Sequence, residues 1–322
     1  MPKKRQAQPT PARSATAART PVPSPQTLYR LHLLDRETHA VLRKATAKLQ
    51  PFLWARDRGI VEQIRQAETP EALLDLAPLA TGLGDAAWEE QMRRFGPQVV
   101  PLIAARLKNA RAIRDATTRD KIFEKLIAEL RWRDDAGAAT LMECFDALDD
   151  YGRSLAALVL GLLGAQQAAD QLWGFYQQVA YHRRESYLVG ALWGLIDLQD
   201  ARVGEALVDL LEQRHMFHEL FGFLSLAGDA RAVIPLVKVI VQASNEDERY
   251  EPRMALLSIG HRIGRDALAA ELLKVTPPAR APAGAEELAD TILATPASFA
   301  EECFAIFHHR ITPEDMERAF EA

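Results

Sequence analysis

Cysteine is scarce in this chain, and long apolar runs and strand-like alternation are almost absent. The two cysteines, Cys144 and Cys303, lie in separate helical patterns among apolar neighbours, without a CxxC pair or another metal-ligand spacing. This argues against a disulfide framework and against a zinc knuckle. We predict that both are small buried side chains in a reducing compartment, and hence that the protein is cytoplasmic.

The longest run without a polar side chain is LAALVLGLLGA at residues 155–165, whose eleven residues are too few to cross a bilayer as a helix. It is predicted to be a buried core helix, and no membrane span is expected. No apolar segment follows the basic start of the chain, so we expect no secretory signal. Alanine, leucine, glutamate, arginine and glutamine dominate the composition, which favours helix.

Acidic residues are missing from the start of the chain and in excess elsewhere. Residues 1–25 carry five basic residues and no acidic one, and they are rich in Pro, Ala and Thr. A disordered tail is therefore predicted, with a transit peptide or a nuclear signal at KKR as the alternative. The rest of the chain has a net charge of −10, which disfavours nucleic acid as a partner unless the basic residues gather on one face.

An internal repeat follows, in which a small or acidic turn precedes an apolar helix. Equivalent leucines, separated by 35, 29 and 36 residues, are Leu172, Leu207, Leu236 and Leu272. Another apolar helix precedes each copy, so the unit is helix, short turn, helix. Because neither helix can bury its apolar face alone, the units must stack side by side. The copies are LGAQQAADQLWGFY from residue 163, LQDARVGEALVDLL from 198, AGDARAVIPLVKVI from 227 and IGRDALAAELLKV from 263, with weaker ones from 95 and 134.

The copy AGDARAVIPLVKVI resembles the second helix of HEAT repeats, especially the short bacterial type that also occurs in phycobilisome lyases. The resemblance covers residues 85–275 and implies an all-α, armadillo-like fold: a right-handed α-solenoid of stacked helical hairpins. It says little about function, because such repeats serve many roles. The predicted organisation is a tail at 1–25, capping helices at 26–84, the array at 85–275, a Pro-rich linker at 276–284 and a C-terminal helical cap at 285–322.

One copy also resembles an enzyme. HELFGFLSLAGDARAVIPLV, which begins at His218, is similar to a repeat of deoxyhypusine hydroxylase, a HEAT-repeat enzyme that holds iron through several His-Glu pairs on successive repeats. Here only His218 and Glu219 form such a pair, since the preceding unit has His182 and Glu185 three residues apart. One pair cannot build a two-metal site. We therefore predict no metal and no cofactor, and the pair is expected to mark a helix start.

Other catalytic patterns are incomplete. In EECFAIFHHR, Glu301 and His308 are seven residues apart, as are Glu302 and His309. Two helical turns span about 10 Å, too far for such a pair to chelate one ion without a third ligand. No GxSxG, GxxxxGK[ST], GxGxxG or HExxH motif occurs, so no catalytic residue is predicted.

Aromatic residues beside arginines form the best binding candidates. DQLWGFYQQVAYHRRESY, from residue 170, and ELRWRDD, from residue 129, contain the residue types that anchor interfaces and stack on bases. In the alternative interpretation the aromatic rings pack between helices and the arginines solvate a turn. The predicted partner-binding residues are Trp173, Tyr176, Arg183, Arg184, Arg131 and Arg133.

The favoured function is a non-catalytic scaffold or adaptor that binds another protein, or a peptide segment of one, on the surface formed by the second helices. Two alternatives stay open. The first is an enzyme or enzyme accessory acting on a protein substrate, either lyase-like or a degenerate hydroxylase. The second is a nucleic-acid-binding HEAT-like protein.

Overall fold

We describe residues 55–80, 83–182, 184–217, 219–305 and 307 of the computed structural model. All regular elements within these residues are helical, without a strand, so the prediction of an all-α fold of stacked helical units is confirmed. The predicted tail at 1–25 lies outside the described residues. The α-helices are α1 (Ala55–Gln66), α2 (Pro70–Leu76), α3 (Leu83–Met92), α4 (Val99–Ala110), α5 (Ala116–Leu130), α6 (Asp134–Cys144), α7 (Asp150–Leu162), α8 (Ala169–Tyr181), α9 (Glu185–Asp197), α10 (Val203–Glu212), α11 (Leu220–Ala227), α12 (Val233–Gln242), α13 (Glu246–Ile263), α14 (Arg265–Leu273), α15 (Ala283–Leu293) and α16 (Ala297–Cys303).

The helices form two rows. Helices α5, α7, α9, α11 and α13 make the first row, in which each helix contacts the next. The second row contains α4, α6, α8, α10, α12 and α14, and its members pack on the first-row helix that follows, as α8 does on α9 and α12 on α13. The repeat leucines Leu172, Leu207, Leu236 and Leu272 all lie in the second row and are fully buried. Stacking therefore supplies the core that no single hairpin could make.

Short polar side chains begin several helices. Thr69 caps α2 by accepting a hydrogen bond from the Ala72 amide at 3.2 Å, with Pro70 as the first helical residue. Asp115 and Asp149 cap α5 and α7 in the same way, and Asn245 caps α13. Each cap satisfies an amide that the first helical turn leaves unpaired, which fixes where the helix begins.

Glycine brings α7 and α9 into backbone contact. A Cβ atom at Gly194 would lie 2.4 Å from the Ala157 carbonyl oxygen, and one at Gly190 would lie 2.4 Å from the Ser154 carbonyl oxygen. A Cβ atom at Gly161 would lie 2.7 Å from the Gly194 Cα atom. Only glycine permits such an approach, so these residues fix the spacing of two neighbouring units.

At the C-terminal end of the array, helix α13 has 18 residues, and α14, which packs against it, has only 9. Helices α15 and α16 both contact α13, and the ring of Phe307 beyond them stacks on Trp193 with centroids 5.2 Å apart.

Candidate functional site

An Asp-x-Arg sequence opens two successive second-row helices and links each to the unit before it. At α10, Asp200 accepts hydrogen bonds from the amide and Nε of Arg202, both at 2.9 Å, and from its terminal nitrogen at 2.6 Å. The other terminal nitrogen of Arg202 reaches Asp170 on α8 at 2.9 Å. The guanidinium hydrogen bonds lower the pKa of Asp200 below its ordinary value. This Asp-x-Arg bracket fastens α10 to α8.

The next unit repeats the bracket. Asp229 accepts from the amide of Arg231 at 2.9 Å and from its terminal nitrogen at 2.7 Å, and Arg231 reaches Glu205 on α10 at 3.3 Å. Hydrogen bonds from Arg231 again lower the carboxyl pKa, here of Asp229. The two brackets link α8 to α10 and α10 to α12 along the second row.

Trp173 and Tyr176, both predicted to bind a partner, lie on α8 beside the first bracket. Their rings stack with centroids 4.9 Å apart, and the Arg202 guanidinium lies 4.9 Å from the Trp173 centroid. Trp173 is half-buried, whereas Tyr176 is only 6% exposed, and burial raises the pKa of its hydroxyl to about 12. Part of the Trp173 ring is therefore accessible at the surface, and the buried Tyr176 ring packs against it.

Arg183 and Arg184 were predicted to lie with these aromatic rings. Arg183 lies outside the described residues. Arg184 is exposed at the start of α9, where it forms an ion pair with Asp150 at the start of α7. The structure thus places Arg184 on a link between first-row helices.

Arg131 and Arg133 lie in the tight turn between α5 and α6. Arg131 is buried against Trp132, with its guanidinium 4.0 Å from the ring centroid. Arg133 donates to the Phe95 carbonyl at 3.2 Å and to the carboxylate of Glu129 at 2.5 Å. Arg133 therefore holds the end of α3 against the end of α5, a structural role that the sequence pattern did not reveal.

A groove that sequence reasoning missed lies between α12, α13, α14 and α15. It encloses about 380 Å³, within the range of about 300–1,000 Å³ that ligand sites occupy. Arg253 and Thr295 are the only polar residues among the lining residues that the structure describes. Val241 is 74% exposed and Leu288 is 42% exposed, so the apolar surface continues from the groove to the outside.

The groove lies beside the end of α14. Leu272, in the last turn of α14, lines it, and Leu288 and Ile292 of α15 line it as well. The sequence carried one signal of this site: VIPLVKVIVQ, the whole of α12, is apolar on nearly every face. A helix that is apolar on all sides is expected to bury more of its surface than the side that packs against the neighbouring helices of the array.

The three histidines of the His-Glu patterns that were considered as metal ligands and rejected, His218, His308 and His309, are not among the described residues. Glu219 is buried at the N-cap of α11. Within the described part, no group of three or more His, Cys, Asp and Glu side chains is placed to hold a metal ion.

None of the helices described here is both long and apolar enough to span a bilayer. Comparisons of the chain with protein-family models, with curated proteins and with solved structures give no match.

Proposed function

We propose that this chain is a non-catalytic scaffold of HEAT-like repeats that binds an amphipathic helix of another protein in the groove between α12 and α15. The observation that carries the proposal is the apolar lining of this groove. Side chains of α12, α13 and α15 form an open apolar strip beside the last turn of α14. An amphipathic helix fits such a strip, since apolar side chains spaced three and four residues apart face one side.

The second row supports the same proposal. The brackets of Asp200 and Asp229 link α8, α10 and α12, and α12 forms one side of the groove. Val241 and Leu288 lie at opposite sides of the groove and are exposed, as expected of residues that a partner would cover.

Site-specific photo-crosslinking tests this function. A photoreactive amino acid at Val241 should crosslink one reproducible segment of another protein, and mass spectrometry should identify that segment as an amphipathic helix. The same amino acid at Leu79, which is 55% exposed at the other end of the array, is the matched control. Leu288→Glu should abolish the crosslink from position 241, because it places a charge in the apolar groove.

Three results contradict the proposal. These are equal crosslinking from positions 79 and 241, crosslinking to a second copy of this chain, and capture of segments that share no apolar face. A second copy would mean that the groove is a dimer contact.

A further inference from the structure

The junction of α3, α5 and α6 contains a buried carboxyl group that the proposed function does not use. Glu129, in the last turn of α5, is only 2% exposed. Its Oε1 accepts a hydrogen bond from Arg133 at 2.5 Å, while its buried Oε2 accepts none from the described residues. A carboxylate that is removed from water and half satisfied is costly, so this position favours the neutral acid.

The backbone around Glu129 has little room to adjust. Asp134, the first residue of α6, has a φ of 46°, a region that residues other than glycine rarely occupy. A Cβ atom at Gly137 would lie 1.9 Å from the Leu130 carbonyl oxygen, so α6 presses directly on the end of α5. Strained turns of this kind are maintained only by the contacts around them and are typical of segments that switch between two arrangements.

Arg133 connects the carboxyl group to the neighbouring helix. Besides Glu129, its guanidinium donates to the Phe95 carbonyl at 3.2 Å and to the Met92 carbonyl at 3.5 Å, both at the end of α3. A change in the charge of Glu129 therefore affects α3 as well as the turn into α6.

We propose that this junction is a proton-sensitive hinge, closed while Glu129 is protonated and loosened when Glu129 loses its proton. An ionised Glu129 needs water at Oε2, and water can reach that atom only if the strained turn moves. Units on the two sides of α5 would then change their relative angle without unfolding.

The surrounding charges set the pH at which the hinge responds. Burial, the largest effect, raises the pKa of Glu129 to about 7, and Glu89 on α3 acts in the same direction. Arg133 and, more weakly, Arg93 lower this pKa. Arg131 is buried in the same turn, and Asp134 is exposed beyond it. Because the closed form holds its proton more tightly than an exposed glutamate with a pKa of about 4.3, closure weakens as the pH rises towards 7 and levels off above that value.

Hydrogen–deuterium exchange of the full chain tests the hinge. After correction for the intrinsic pH dependence of amide exchange, opening of residues 129–137 should increase about tenfold between about pH 6 and about pH 8. Glu129→Gln has no carboxyl proton to lose, so its exchange should stay constant over this range. It should also lie well below that of the wild type at about pH 6, where ionisation in the open form already favours opening.

Glu124→Gln is the matched control, since Glu124 lies on the same helix and is hydrogen-bonded to Tyr151 away from the junction. It should retain the wild-type pH dependence. An unchanged exchange rate in the wild type, or an equal increase in Glu129→Gln, overturns the proposal. If Glu129→Gln does not fold, the wild type alone decides: an increase confined to residues 129–137 supports the hinge, and an increase along all of α5 refutes it.

Discussion

The contact between α7 and α9 and the groove between α12 and α15 differ in the size of the side chains that line them. In the middle of the array, Gly161, Gly190 and Gly194 let two first-row helices touch through their backbones. At the C-terminal end, large side chains such as Val241 and Leu288 line an open groove instead. The first arrangement closes the space between neighbouring units, whereas the second leaves apolar surface exposed.

Adding one methyl group at the contact between α7 and α9 should have the largest effect on stability. Gly194→Ala would place Cβ 2.4 Å from the Ala157 carbonyl oxygen, which is backbone and cannot rotate away. We expect the free energy of unfolding to fall by about 3 kcal/mol or more. Thermal and urea denaturation of the purified protein measure this loss.

Gly174→Ala is the control for that substitution. Gly174 lies inside α8 with no atom within 4 Å of an added Cβ atom. The same change should therefore raise the free energy of unfolding by about 0.5–1 kcal/mol, because alanine loses less backbone entropy in a helix. Similar losses for both variants would mean that the glycines of α9 are not in close contact with α7.

One helix of the tight contact could be anticipated from the sequence, whereas its glycine contacts and the groove could not. The run at residues 155–165 was predicted to be a buried helix, and its core residue Leu160 is fully buried. That Gly161 meets Gly194 depends on how two helices are staggered, which no local pattern encodes. The groove depends on where α12, α13, α14 and α15 end and pack, and helix ends are the least predictable feature of a sequence.

The arginines show a second limit of prediction from the sequence. Arg131, Arg133 and Arg184 were grouped as candidate binding residues because they lie near aromatic residues. Sequence spacing cannot reveal that Arg133 donates to carbonyl groups of another helix or that Arg184 pairs with Asp150. Partners this far away in the chain become visible only when the units are stacked.

Breaking a bracket in the second row should have an intermediate effect. Arg202→Ala removes the bonds to Asp200 and Asp170 and the contact with Trp173. Because the guanidinium is partly exposed, we expect a loss of about 1 kcal/mol, measured by urea denaturation at neutral pH. Arg231→Ala should cost less, since Arg231 contacts no aromatic ring among the described residues and its bond to Glu205 is longer.

The pH dependence of the stability lost in Arg202→Ala tests whether the bracket is ionic. The pKa of Asp200 is lowered by hydrogen bonds from Arg202, so the bracket is fully formed above the pKa of an exposed aspartate, about 3.9. The stability that it adds is lost as the pH falls through the lower pKa of the folded state. An advantage of the wild type over Arg202→Ala that persists unchanged in strong acid would contradict an ionic bracket.

A polar substitution in the groove should have the smallest effect on stability. Val241 is 74% exposed and lies in the last turn of α12, so Val241→Gln removes little buried surface and leaves the helix intact. We expect a change within about 0.5 kcal/mol in the free energy of unfolding. Leu236→Ala on the same helix is the contrast, because Leu236 is fully buried and its truncation should cost about 2–5 kcal/mol. If Val241→Gln proved as harmful as Leu236→Ala, the groove would belong to the core of the array, and its apolar lining would be explained by folding alone.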